Sequence, residues 1–161
     1  MAYSTIDIFT GGTPSAVGND SSNPAETTPG ENAVDNANAT HWANGGTSGW
    51  WKYDLGVGVT KRAEKFTVYV NNTGNWNIKD FTFQGSNNDS DWTTLKTVTG
   101  RLQAETGLFT YTFTNATSYR YYKIDVTANW GGGAVMLWEV SAYATLVVKD
   151  IIGGGIIPST R

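Results

Sequence analysis

The 161-residue chain contains no cysteine, which excludes disulfides, thiol catalysis and zinc–thiolate sites. Its one histidine, His41, therefore cannot form half of a thiol dyad, and no G-x-S-x-G segment supplies a serine nucleophile. Every apolar run falls short of the ~18–20 residues that span a membrane. These absences predict a chain that is not an enzyme and that does not insert into a membrane.

Charge is also scarce, because only 16% of the residues are charged and the formal net charge is -3. A nucleic-acid binder needs a basic patch that releases counterions, and a polybasic membrane anchor needs clustered lysine and arginine. Neither class of partner is expected. The N-terminal segment "MAYSTIDIFTGG" lacks a basic stretch followed by an apolar one. The sequence is thus not an obvious secretory precursor, and we expect either use without a signal peptide or an excised extracellular module.

Aromatic side chains are abundant, at 13% of the residues, with seven tryptophans and eight tyrosines. Carbohydrate binders have such compositions because the C–H faces of sugars stack on aromatic rings. Many β-sandwiches have them because aromatic rings fill their cores. Composition alone leaves both explanations open.

Several short segments alternate apolar and polar residues with a period of two. In "KFTVYV", Phe66, Val68 and Val70 share one face, and "LFTYTFT" and "YRYYKIDV" alternate in the same way. Glycine, asparagine and aspartate separate these segments, and none carries a sustained helical stripe. The pattern predicts one all-β domain, a single jelly-roll β-sandwich over residues 1–146.

The last segment, residues 147–161, has a different character, with two isoleucine pairs on either side of Gly153–Gly155. Exposed isoleucines would be a liability in a monomer. One interpretation is a final strand that folds back onto the sandwich. The other is a docking segment, which predicts a homo-oligomer or larger assembly formed through residues 151–161.

Five segments occur in an order and spacing that resemble a known family. They are "AVDNANATHW" at 33–42, "WWKYDLG" at 50–56, "FTFQGSNNDSDWTTL" at 81–95, "YRYYKIDV" at 119–126 and "LWEVSAY" at 137–143. Together they resemble the discoidin domain, also called the coagulation factor V/VIII type C domain, over residues 31–143. The resemblance implies a galactose-binding-like sandwich, the architecture of many bacterial carbohydrate-binding modules.

The resemblance also implies a structural cation, usually calcium, at the turn that contains Asp35, Thr40 and Trp42. Carried over position by position, the ligands are carboxylates, a hydroxyl and backbone carbonyls, which suit the six to eight oxygen ligands of calcium. They fall on Asn32, Asp35, Ala37, Thr40, Trp138 and Glu139. The family often has glycine after the aspartate, and Asn36 can replace it because asparagine tolerates a left-handed backbone.

A second interpretation makes Asp35 a turn-capping residue and Glu139 a surface residue. Glu139, however, lies within the longest apolar run, between Trp138 and Val140. A buried carboxylate there needs a partner or loses its charge, and a cation shared with Asp35 meets that need. A glycosidase would also need two facing carboxylates, but we assign this pair to a metal.

Residues that contact a sugar fall outside the five segments, so we choose them by their chemistry. Trp76 and Trp130 lie in turns rich in glycine and asparagine, beside Asn75 and Asn129, whose amides can donate to and accept from hydroxyls. Either ring could instead fold back over the core. His41 is a candidate contact at the rim. The other tryptophans are expected to be mostly packing residues: Trp42, Trp50, Trp51, Trp92 and Trp138.

Three functions remain open on these grounds. The first is a non-catalytic carbohydrate-binding module that recognises cell-surface glycans, with a virion fibre, tail or decoration protein as one context. The second is a structural or assembly protein that uses the sandwich as a building block. The third is an anionic-phospholipid binder, which the eleven lysines and arginines and the low pI disfavour.

Overall fold

The computed structural model describes residues 3, 6–17, 30–71, 74–101, 103 and 106–145. Within these residues the chain forms ten β-strands and two short 3-10 helices, Glu31–Ala33 and Gly74–Trp76. The strands are β1 Thr13–Ala16, β2 Trp42–Gly45, β3 Gly49–Asp54, β4 Lys65–Val70, β5 Ile78–Ser86, β6 Thr93–Val98, β7 Gly107–Thr112, β8 Tyr121–Asn129, β9 Ala134–Leu137 and β10 Glu139–Tyr143.

The strands form an antiparallel sandwich. One sheet has five strands in the order β1-β3-β8-β5-β6, a second has three in the order β10-β4-β7, and β2 pairs with β9 as a two-stranded ladder. The prediction of a single all-β sandwich is confirmed. No helix in the described part of the chain is long and apolar enough to cross a membrane.

The core lies between the two larger sheets and is filled by aromatic rings. Phe66 of β4 stacks on Phe83 of β5 with ring centroids 4.4 Å apart, and Phe83 stacks on Tyr122 of β8 at 5.4 Å. The alternation predicted for β4 and β8 is confirmed, because Val68 and Val70 of β4 and Ile124 and Val126 of β8 are buried. Packing of the core therefore accounts for part of the high aromatic content of the sequence.

Two buried tryptophans hydrogen-bond to segments outside the regular strands and hold them against this core. Trp51 of β3 is fully buried, and its indole N–H donates to the carbonyl oxygen of Gly30 over 2.8 Å. Trp42 of β2 is also fully buried and donates to the carbonyl of Val17 over 3.3 Å. Their role as packing residues is confirmed, and each bond satisfies a buried polar group at the edge of the core.

The longest apolar run of the sequence contains two strands rather than one. β9 pairs with β2, β10 pairs with β4, and Trp138 lies between them. The run looks continuous because every residue of β9, and all but the last of β10, is buried.

The predicted docking segment, residues 151–161, lies outside the described residues. Thr145, the last described residue, forms an isolated antiparallel bridge with Tyr3.

Candidate functional site

The loop between Glu31 and Trp42 lies against the start of β10 and brings together two carboxylates. The backbone N–H of Asn36 donates to Glu139 Oε2 over 3.1 Å. Asn36 has a φ of 61°, so the left-handed conformation expected at this position is present. That turn directs the Asn36 amide at Glu139 and places Asp35 beside it.

Thr40 and Ala37 lie next to the Asp35 carboxylate. Thr40 Oγ1 lies 2.7 Å from Asp35 Oδ2 and 3.0 Å from the carbonyl oxygen of Ala37, and the Ala37 N–H donates to Asp35 Oδ1 over 2.8 Å. The structure thus brings Asp35, Ala37, Thr40 and Glu139 into one cluster, which we call the cation loop. These are the carboxylate, hydroxyl and carbonyl oxygens that a hard cation prefers.

The electrostatics of the cation loop favour a positive ion. Burial, and then the charge of Asp35, raise the pKa of Glu139 from 4.5 to about 8. The carboxylate of Asp7 adds to the same effect. Among the described residues no three histidine, aspartate or glutamate side chains are close enough to form a metal centre. A cation here would therefore depend on two carboxylates together with hydroxyl and carbonyl oxygens.

The remaining residues predicted for the metal lie around this cluster. The side-chain amide of Asn32 donates to the carbonyl oxygen of His41 over 3.1 Å, which fixes the two ends of the loop. The His41 ring lies 4.5 Å from the ring of Trp138, the residue before Glu139. Trp138 is buried, as expected for a packing residue.

A second cluster forms where the β4–β5 and β8–β9 connections meet, and we call it the loop end. The carbonyl oxygen of Asn75 accepts from the backbone N–H groups of Trp130 and Gly132, over 3.0 and 3.2 Å. The Trp76 ring packs against Gly132 so closely that a Cβ at that position would overlap it. The structure thus brings together the Asn75, Trp76, Asn129 and Trp130 segments.

Within the loop end, the predicted contact residues differ in exposure. Trp76 and Trp130 are both half-buried, and Trp76 packs partly on the core. Lys79 Nζ lies 4.9 Å from the ring of Trp130. Asn129 is only 5% exposed, and its amide holds the loop by donating to the carbonyls of Gly132 and Ala134. Asn129 therefore supports the loop from beneath, while Asn75 is exposed at its surface.

His41 lies apart from the loop end. In the β2–β9 ladder, Trp42 pairs with Leu137 and Gly45 pairs with Ala134. His41 precedes Trp42, whereas the Trp130 loop leads into Ala134. The two groups are thus at opposite ends of a four-residue ladder, about 10 Å apart along the strand. The structure thus brings four of the five predicted sugar contacts together and places His41 apart from them.

A third cluster, which the sequence did not indicate, lies on the outer face of the five-stranded sheet. Trp50 and Lys52 of β3, Lys123 of β8, and Asp89 and Trp92 of the β5–β6 connection line a cleft of about 190 Å³. We call it the sheet cleft. Trp50 and Trp92 are half-buried surface residues rather than core residues, so their assignment to packing was incomplete.

Comparison with known proteins identifies the family. Residues 18–140 match the F5/8 type C domain family. The chain belongs to that family. No curated protein sequence matches this F5/8 type C domain significantly.

Three solved structures with the same fold are carbohydrate-binding modules of other proteins. Chitosan-binding module 1 of a Paenibacillus sp. IK-5 chitosanase/glucanase is 23% identical, with a TM-score of 0.68 over 86% of this chain and 99% of that one. The Clostridium perfringens module CpGH89CBM32-5, in complex with GalNAc-beta-1,3-galactose, is 19% identical, with a TM-score of 0.67 over 83% and 95%. The CBM32 of AlyQ, in complex with 4,5-unsaturated mannuronic acid, is 22% identical, with a TM-score of 0.64 over 81% and 92%. At these identities the comparison establishes the fold of this F5/8 type C domain, a galactose-binding-like sandwich.

Proposed function

We propose that this domain is a non-catalytic carbohydrate-binding module that holds its glycan at the loop end. The observation that carries the proposal is the pair of half-buried tryptophans, Trp76 and Trp130, on two connections that hydrogen-bond to each other through Asn75. A sugar binds such a surface by stacking its C–H face on a ring and by hydrogen bonding its hydroxyls to neighbouring polar groups.

The loop end is prepared for that role before a ligand arrives. Asn129 holds the Trp130 loop from below, and the close approach of Trp76 to Gly132 leaves no space between the two connections. A rigid platform loses little conformational entropy on binding. The exposed Asn75 and the ammonium of Lys79, beside the Trp130 ring, supply the polar contacts.

The solved structures with this fold support a sugar as the ligand class. One of them is a chitosan-binding module, and two were solved in complex with GalNAc-beta-1,3-galactose and with 4,5-unsaturated mannuronic acid. These saccharides share a pyranose ring but differ in substituents. Recognition of cell-surface glycans, in an adhesive or virion surface protein, is the context that we propose for this chain.

We also propose that the cation loop holds calcium as a structural ion. Asp35 and Glu139 would supply carboxylates, and Thr40 and Ala37 would supply hydroxyl and carbonyl oxygens. Bound there, calcium would neutralise two adjacent carboxylates and so allow Glu139 to remain ionised while buried. The raised pKa of Glu139 supports this proposal, since a positive charge is what the pair lacks.

A glycan array and calorimetric titration test the module. Trp130→Ala should lower glycan affinity by tenfold or more, because stacking on the ring is lost, while the melting temperature changes little. The matched control is Tyr143→Ala. It removes another half-buried ring that lies beneath a lysine, since Lys65 Nζ is 4.0 Å from the centre of the Tyr143 ring. Equal affinity of the wild type and Trp130→Ala would place the glycan elsewhere.

Because the cation loop and the loop end lie at opposite ends of the β2–β9 ladder, glycan binding should survive in chelator below the melting temperature. An array on which no glycan binds, with or without calcium, would contradict the carbohydrate-binding function itself.

A further inference from the structure

The sheet cleft is not used by the loop-end site, and its composition differs from that of a merely solvated sheet face. Trp50 and Trp92 both line it, with Lys52 Nζ 5.4 Å from the centre of the Trp50 ring and Lys123 Nζ 4.5 Å from the centre of the Trp92 ring. Because Lys52 and Lys123 are neighbours across the strands, the two lysines lie between the two tryptophans. Trp50 faces outward because it alternates with the buried Trp51 along β3. Half-buried tryptophans on either side of a cleft offer two surfaces on which a sugar ring can stack.

Two of the residues that line the cleft place positive charges opposite each other. Lys52 and Lys123 are direct cross-strand partners in the β3–β8 register, and their side chains are only 19% and 16% exposed. Like charges directly opposite each other destabilise a sheet. An anion bound between them would relieve that repulsion.

The two lysines are neutralised unequally. Lys52 Nζ lies 2.8 and 2.6 Å from the two carboxylate oxygens of Asp89 and therefore has a close ionic partner. Lys123 Nζ is 3.7 Å from Asp125, which is longer than a hydrogen bond, and lies 4.5 Å from the centre of the Trp92 ring. The ammonium of Lys123 thus points at the wall of the cleft with N–H donors available to a ligand.

We propose that the sheet cleft is a second saccharide site, selective for an acidic sugar residue such as a uronic acid. The sugar carboxylate would bind the ammonium of Lys123, and the C–H face of the ring would stack on Trp92 or Trp50. A cleft of about 190 Å³ is small for a ligand pocket and suits one sugar ring. The inference rests on the proposed carbohydrate-binding function and adds a site and a substrate class to it.

A longer saccharide has a path out of the cleft. Trp50 also lines a wider, open groove whose polar residues are Asn44, Ser48, Asp125 and Thr127. The two depressions share the Trp50 side chain, so neighbouring sugar residues can continue past it along the sheet.

Titration calorimetry on the full chain tests the site with two matched probes: trigalacturonic acid and its carboxyl-reduced, uncharged counterpart. We expect the acidic trimer to bind the wild type more tightly, and its affinity to fall with added salt. Lys123→Gln should lower that affinity about tenfold, which is typical for loss of a charge-assisted contact. Trp92→Ala should lower it as well. The control is Lys65→Gln, which removes a lysine that also lies over an aromatic ring, 4.0 Å from the centre of Tyr143, but on the opposite sheet; it should leave this affinity unchanged.

Asp89→Asn distinguishes an acidic ligand from a neutral one. Asp89 has a φ of 62°, and asparagine tolerates that conformation well, so the variant should fold normally. Removing the carboxylate frees Lys52, and affinity for the acidic trimer should rise several-fold. If the cleft instead used Asp89 to bind the hydroxyls of a neutral sugar, affinity for the reduced trimer would fall.

Shifts of the Trp50 and Trp92 indole N–H signals in NMR spectra locate the ligand and separate the remaining outcomes. In one outcome the acidic trimer binds, these signals do not move, and affinity is lost in Trp130→Ala but not in Lys123→Gln. That result would overturn the proposed saccharide site in the sheet cleft and leave the loop-end site intact. Binding of neither trimer here, together with a silent glycan array, would refute the carbohydrate-binding function as a whole.

Discussion

Replacing Glu139 by glutamine should have opposite effects on stability in chelator and in calcium. Glu139 is only 8% exposed, and its carboxyl faces Asp35. Burial and the charge of Asp35 together raise the pKa of Glu139 to about 8. Without a cation, ionising Glu139 costs more free energy in the folded protein than in the unfolded chain, where water solvates the carboxylate. Glutamine keeps the shape of the protonated acid, still accepts from the Asn36 amide, and carries no charge.

The sign and size of the effect follow from proton linkage. A carboxyl with a raised pKa keeps its proton in the folded state at pH values where the unfolded chain has lost it. Its stabilising contribution is therefore complete below about pH 4.5 and is lost as the pH rises towards 8. The difference between these pKa values sets an upper limit of about 5 kcal/mol. Solvent at the rim and the Asn36 amide reduce that cost, so we expect about 1–2 kcal/mol.

Calcium should reverse the order of the two proteins. An ion present at a hundred times its Kd adds about 2.7 kcal/mol to the stability of the wild type, or roughly 5–10 °C in melting temperature for a domain of this size. The Glu139→Gln variant should gain much less, since it lacks one of two carboxylates. In chelator at pH 8, the variant should melt above the wild type, and at pH 5 the two should melt together.

Differential scanning fluorimetry at pH 5 and pH 8, with calcium or with EDTA, measures all four conditions. Glu31→Gln makes the same chemical change at an exposed position of the neighbouring helical turn and should change nothing. Equal melting temperatures of the wild type in calcium and in EDTA at pH 8 would refute the cation. A wild type that becomes more stable from pH 5 to pH 8 in EDTA, relative to the variant, would refute the electrostatic reasoning.

Two further changes probe the loop end and the C-terminal segment. Gly132→Ala should destabilise the fold by about 1–3 kcal/mol in urea unfolding, because the added methyl overlaps the Trp76 ring. The variant should also bind glycan more weakly. An unchanged denaturation midpoint would show that the Trp76 ring moves freely. Truncation after Lys149 should leave the melting temperature nearly unchanged. It should also convert any oligomer seen by light scattering into monomer. A truncated chain that unfolds would show instead that the isoleucines of residues 151–157 complete the core of their own chain.

The sandwich and the approach of Asp35 to Glu139 could be predicted because their signals are local in the sequence. Alternation with a period of two identifies strands such as β4 and β8 without knowledge of their partners. Asp35 and Glu139 are 104 positions apart, yet each stands in a recognisable segment. An acidic residue inside an apolar run also indicates that something must compensate its charge.

The loop end was predicted only in part, because exposure depends on tertiary neighbours. A turn rich in glycine and asparagine identifies Trp76 and Trp130 as loop residues, but not how deeply each ring is buried. Asn129 belongs to the same segment, and only the position of the Gly132 and Ala134 carbonyls makes its amide a buried support. His41 is separated from the loop end by the β2–β9 pairing, which the sequence does not reveal.

The sheet cleft was missed because the segment "WWKYDLG" was interpreted as a whole. In a strand, adjacent side chains point to opposite faces, so the buried position of Trp51 requires that Trp50 face outward. The same alternation places Lys52 outward between Trp51 and Tyr53, and "YRYYKIDV" places Lys123 outward between Tyr122 and Ile124. The missing information was the pairing of β3 with β8. Once that register is known, two lysines and a tryptophan from separate segments fall on one surface.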